Sequence, residues 1–173
     1  NESVVQVGNN KRATKYIIPV VFHVIHTNGP ENISKKQLED QIRILNEDFS
    51  FNNSNKAAIR TAFKNVTADC QIEFRLAQID PNGNCTDGIN RVYSPLHFDA
   101  RDNVKAIPGA RWDNKKYLNI WVVSTIQDNS GSGGTTLGYA YLPSAVAQGL
   151  SAQDGILVRS DYVGTIGTGS VSG

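Results

Sequence analysis

A chain of 173 residues with 39% hydrophobic side chains is long enough to bury one sizeable core and short enough to form a single domain. Its 17 basic and 16 acidic residues nearly cancel, so no net field favours nucleic acid or an anionic membrane surface as a partner. The longest apolar run, Tyr16 to Ile25, carries Pro19 and His23 and is too short to cross a bilayer, which excludes a spanning segment there.

In chain order, residues 1–14 are polar and without period, and are expected to be a flexible arm or linker remnant preceding one domain over 15–173. No signal peptide is visible in this stretch, so the chain is either a mature form or one never exported. Lys15 to His26 is apolar on both faces, as a strand inside a covered sheet should be. After the breaker Asn28-Gly-Pro-Glu-Asn32, Ser34 and Gln37 form a capping box. Leu38, Ile42, Leu45 and Phe49 then recur at helical spacing, which predicts a helix laid on the sheet. Residues 55–69 are polar and partly helical in pattern, and 70–79 alternate Ile72, Phe74 and Leu76 against Glu73 and Arg75, a strand with one wet face.

Cys70 and Cys85 bracket that strand and the turn Asp80-Pro-Asn-Gly83. In an oxidising compartment a disulfide between them would close a modest loop and contribute about 2–4 kcal/mol, the alternative being two small buried thiols. Ile89 to Pro95 adds a short strand, 96–116 is irregular, and Tyr117 to Ile126 is a second strongly apolar strand. A glycine-rich stretch, Asn129 to Gly134, leads to the short alternating run Leu137 to Leu142, closed by Pro143. Gly138 inside it and the proline after it suit a sheet edge better than a sheet centre. Asp154 to Val163 is the last strand. This order predicts an α/β (α+β) fold, with a mixed, mostly parallel twisted sheet of about five strands, one antiparallel edge strand and a backing helix.

No complete catalytic set is present in the sequence. His23 and His26 lie three apart on one strand, so their side chains face opposite sides and cannot chelate one ion together. Each reads as a buried or edge histidine with satisfied hydrogen bonds. His97 and Asp99 have no third ligand near in sequence and read as surface residues. There is no G-x-S-x-G elbow, and neither cysteine sits in the setting of a reactive thiolate. Gly167 to Gly173 misses a dinucleotide loop by the place of its third glycine, which leaves it as a flexible strand exit.

Six segments taken together, IPVVFHVIH, QLEDQIRILNEDF, IEFRLAQIDPNGNCTDGINR, YLNIWVV, LGYAYLP and DGILVRSDYVGTIG, resemble the amino-terminal subdomain of pappalysin-type zinc metallopeptidases, a branch of the metzincins. The resemblance runs from about Ile17 to Gly169. It implies the zincin-like upper subdomain of a secreted, extracellular enzyme in which a zinc-bound water attacks a peptide carbonyl. Zinc is the implied cofactor, with calcium as a second ion that the resemblance admits. The helix H-E-x-x-H-x-x-G-x-x-H that carries zinc ligands and general base in that family has no counterpart here, so the chain is expected to end before it and to be inactive alone. In that family the segment matching Leu137, Gly138, Tyr139, Ala140 and Tyr141 is the antiparallel edge strand with which an extended substrate pairs. The implied partners are an extended peptide or protein substrate and the missing carboxy-terminal subdomain. The alternative is a non-catalytic extracellular binding module that captures a peptide by the same strand addition.

Overall fold

The computed structural model describes residues 14–128 and 134–171. Nearly all of the expected arm, and Asn129 to Gly133 of the glycine-rich stretch, lie outside them. The central strand is β1 (Tyr16–His26), followed by helix α1 (Lys35–Phe49), β2 (Ile72–Leu76), β3 (Ile89–Tyr93), β4 (Leu118–Val123), β5 (Gly138–Ala140) and β6 (Ile156–Arg159). They form one six-stranded sheet in the order β2-β1-β4-β6-β5, with β3 also paired to β1. Every pairing is parallel except β5 with β6, so the sheet is mixed and mostly parallel, as the sequence predicts.

β1 reaches its length by taking two neighbours in series along one side. β2 pairs with Tyr16 to Val20 and β3 with Phe22 to His26. The handover is made by two backbone bonds, from Ala77 to the Val20 carbonyl at 2.8 Å and from Phe22 to the Gly88 carbonyl at 2.9 Å. Gly88 has φ +72°, and a Cβ there would stand 2.7 Å from the Ala77 nitrogen, so only glycine lets the chain re-enter the sheet at that point.

The period-two alternation divides the core between the two faces. Val20, Phe22, Val24, Ile120 and Val122 point to the α1 side, where they meet Leu38, Phe74 and the inward stripe Ile42, Leu45 and Phe49. Ile25, Trp121, Val123 and Leu157 point to the other side, which no long helix among the described residues covers. That face is roofed by Ala100, Val104 and Ala110 of the connection before β4 and by Ile126 just after it. Burial on both faces accounts for the unbroken apolar runs of β1 and β4.

Five expectations change. Ser34 caps α1 by accepting from the Gln37 backbone at 3.2 Å, but the Gln37 side chain does not return the bond. It is buried and donates instead to Ser160 O at 3.2 Å, Val163 O at 2.9 Å and Thr168 Oγ1 at 2.9 Å. With Asp40 and Gln41 accepting from the Thr165 and Gly164 backbones, Gln37 pins residues 160–168 to the helix, so up to Thr168 the exit from β6 is held rather than loose.

Cys70 and Cys85 are free and exposed, neither bridged nor buried. Cys85 pairs with Ile79, beyond the far end of β2, whereas Cys70 precedes its start. Extended chain at about 3.3 Å per residue keeps them well past the roughly 7 Å that a disulfide can span. His97 is not a surface residue either. Its side chain is 13% exposed, and its Nε2 is 2.9 Å from Thr27 Oγ1. Finally, the expected Leu137 to Leu142 strand contracts to Gly138–Ala140.

Candidate functional site

β5 closes one end of the sheet, paired only with β6 among the described residues. The backbone of Arg159 donates to the Leu137 carbonyl at 2.9 Å, which makes these two a hydrogen-bonded pair of the antiparallel ladder. Such pairs alternate. Tyr139 opposite Leu157 is therefore the next bonded pair, while Gly138 opposite Val158 and Ala140 opposite Ile156 are not bonded. The N–H and C=O groups of Gly138 and Ala140 consequently point away from β6, along the open edge. A Cβ on Gly138 would lie 2.9 Å from the Leu157 carbonyl, so glycine also permits the close approach of β5 to β6.

The tyrosines flank this edge by the same alternation, both turned to the face opposite α1. Tyr139 donates its hydroxyl to Asp102 Oδ1 at 2.9 Å, and Tyr141 donates to Asp102 Oδ2. Asp102 is also 3.1 Å from the ammonium of Lys105, a side chain with 2% exposure. That ammonium donates to the Gln153 carbonyl at 2.7 Å and stands 5.1–5.2 Å from the ring centroids of Trp121, Tyr139 and Tyr141. A buried cation is costly unless it is paired and hydrogen-bonded, and here a carboxylate, a carbonyl and three π-faces surround it.

Burial pushes the Asp102 carboxyl up, but the hydroxyls of Tyr141 and Tyr139 and the Lys105 ammonium outweigh it and hold the group below the usual carboxylate range. Burial lowers the pKa of Lys105, and the Asp102 carboxylate opposes that in part. Burial and the bond to Asp102 raise the Tyr139 phenol. A cavity of about 650 Å³, lined by Arg101, Asp102, Thr136, Tyr139 and Tyr141 among others, opens beside the cluster.

The histidines are engaged elsewhere. His23 is fully buried, its Nε2 2.8 Å from Asn119 Oδ1 and its Nδ1 3.0 Å from Asn90 Nδ2. These partners assign a neutral ring that donates from Nε2 and accepts at Nδ1. Burial lowers its pKa to about 4. His26 accepts from the Asn28 backbone at 3.1 Å. Among the described residues no three His, Cys, Asp or Glu side chains gather as metal ligands, so neither the implied zinc nor calcium finds a ligand set there.

The structure keeps Leu137 to Tyr141 together at the edge, and it adds Asp102 and Lys105, which sequence reasoning missed. Lys105 carried a usable signal, a lone charge between Val104 and Ile107 in the stretch 104–107. Nothing local linked Asp102 to its tyrosine partners, which lie 37 and 39 residues away.

The sheet order, the backing helix and the antiparallel edge strand define an α/β fold that matches a metallopeptidase-like domain. Solved structures of mirolysin, a metallopeptidase of Tannerella forsythia, are similar to this chain. Mature mirolysin in complex with a cleaved peptide aligns with a TM-score of 0.79 and 36% identity over 90% of this chain and 57% of that one. A promirolysin point mutant aligns with a TM-score of 0.79, 36% identity and coverage of 90% and 50%. Mirolysin in complex with compound 9 gives a TM-score of 0.76 at 36% identity over 90% of this chain. The chain thus spans about half the length of the structures it matches. No family model matches it, and a search of curated proteins finds no match.

Proposed function

We propose that this chain is the amino-terminal, edge-bearing part of a secreted, zinc-dependent metalloendopeptidase of pappalysin type, and that β5 binds extended substrate by strand addition. One observation carries the reading. The outer main-chain groups of Gly138 and Ala140 lie on a sheet edge with small side chains, in a fold similar to that of mirolysin, which has been seen with a cleaved peptide. Strand addition draws on backbone donors and acceptors rather than on particular side chains, so glycine and alanine suit the role.

The sequence holds no H-E-x-x-H motif, so on this reading the zinc, which polarises the peptide carbonyl and activates water, is held by residues outside these 173. The residues in hand bind and orient the substrate strand. Alone the chain captures peptide and does not hydrolyse it.

The test is an NMR titration of the chain with a blocked Ala–Thr repeat peptide. Gly138 and Ala140 amides should shift while those of β2 do not. An unchanged β5 would end the strand-addition reading. Proteolysis by the full-length gene product, abolished by a zinc chelator, would support the enzyme. Capture without hydrolysis by a zinc-loaded full-length product would make it a non-catalytic binding module instead.

A further inference from the structure

We propose that Asp102 is a positioning residue for peptide capture: by clamping Tyr139 and Tyr141 it fixes the roll of β5 about its own axis, and so the direction in which Gly138 and Ala140 present their backbone groups. The capture half of this inference rests on the strand-addition reading above, whereas the clamp stands on geometry alone.

Among the described residues β5 has little else to hold it. Its ladder with β6 is three residues long, and so short an edge strand is marginal without side-chain support. Gly138 and Ala140 offer almost no side chain to pack. Among the described residues its other side-chain attachments are the two tyrosines, which sit two residues apart on one face and send a hydroxyl each to the two oxygens of one carboxylate. A strand tethered at a single point can rotate about it, and one tethered at two points along its length cannot.

The carboxylate is itself fixed. Asp102 belongs to the 3₁₀ turn Asp102–Ala106, and Lys105 of that turn bonds it at 3.1 Å from a buried position under the same aromatic rings. Lys105 is anchored in turn to Gln153 in the turn before β6. The clamp therefore ties β5 to the 102–106 turn, outside its own hairpin, and through Lys105 to the connection that leads into β6.

The test uses the 173-residue chain and two readouts. The first is amide hydrogen exchange in the free protein at Tyr139, Leu157 and Arg159, whose N–H groups lie in the β5–β6 ladder, with Ile120 and Val122 of β4 as reference. Asp102→Asn should lower protection at the three ladder amides about tenfold or more, as expected for the loss of charge-assisted hydrogen bonds, and leave β4 unchanged.

The double substitution Tyr139→Phe with Tyr141→Phe keeps the rings and should reproduce the loss. Adding Asp102→Asn to it should cost little more, because both changes break the same bonds. Ladder protection unchanged in Asp102→Asn would overturn the clamp, as would full additivity of the two changes. If Asp102→Asn lowers β4 protection as well, the milder tyrosine variant decides by the same criterion.

The second readout is titration with the blocked Ala–Thr repeat peptide. Shifts at Gly138 and Ala140 in the parent chain should fade in both variants. Shifts that persist undiminished despite lost protection would overturn the positioning role. A parent chain that shows no shift refutes capture itself, and the exchange data still judge the clamp.

Discussion

The two ends of the sheet solve the same problem in opposite ways. At one end β2 turns Glu73 and Arg75 to the wet face, and Lys15 joins them, with bonds of 3.1 Å from Lys15 and 2.5 Å from Arg75 to the Glu73 carboxylate. Charges set along an exposed strand discourage other chains from adding to it. At the other end β5 carries glycine and alanine in its unbonded positions and turns its large side chains onto one face. One edge is guarded by charge, and the other is left open while being held rigidly from beneath. An edge that is both bare and braced fits strand capture better than accidental exposure.

This comparison can be broken or sharpened in several ways. The largest effect should come from the centre that both edges share. Trp121 is fully buried and donates its indole N–H to the Ala110 carbonyl at 2.5 Å. Trp121→Ala should destabilise the chain by about 3–5 kcal/mol, and urea denaturation should show both edges lost in one transition. A variant that lost β5 alone would mean that the ends fold independently.

Acid should act next, through His23. Its folded pKa of about 4 lies below the ordinary histidine value of 6.5, so the unfolded chain takes up the proton first. The stability tied to its neutral form is complete above pH 6.5, is lost as pH falls from there, and levels off below about pH 4. At 1.36 kcal/mol per unit this amounts to about 3 kcal/mol. Urea titrations at neutral pH and near the lower limit should show that slope reduced in His23→Gln. An identical slope in the variant would remove His23 as the cause.

Gly138→Pro removes an outward N–H and sets a ring carbon where an added Cβ would stand 2.9 Å from the Leu157 carbonyl. Affinity for the blocked peptide should fall about tenfold or more, while global stability, which rests on β1 and β4, should change by less than about 1 kcal/mol. Unaltered peptide affinity would leave no reason to single out this edge. The smallest change in stability belongs to the guarded end. The Glu73→Ala and Arg75→Ala pair should leave the urea midpoint where it was, because exposed ion pairs are screened by water, yet raise self-association in sedimentation. A variant that stayed monomeric at all concentrations would show that those charges guard nothing.

Much of this architecture was legible because it is local. Alternation marked β2, spacings of three and four marked α1, and unbroken apolar runs marked β1 and β4 as strands covered on both faces. Gly138 and Pro143 placed an edge strand between them. The failures were failures of distance. Gln37 looked like half of a capping box and instead reaches residues 160–168, more than a hundred positions away. Cys70 and Cys85 looked like a pair and are held apart by the strand between them. His97 looked exposed because nothing near it in sequence reports that Thr27 and Glu31 pack against it.

By itself the sequence determined which segments are strands, which is the helix, which faces are apolar, and that no catalytic motif lies within these residues. Propensity and periodicity act over a few residues and can be read from them. Only the tertiary structure decided the strand order, the register that turns Gly138 and Ala140 outward, and the burial of Lys105 beside Asp102 beneath the tyrosines. Those depend on which distant segments meet, and the free energy of such contacts is set by packing and desolvation across the whole domain rather than by any one stretch of chain.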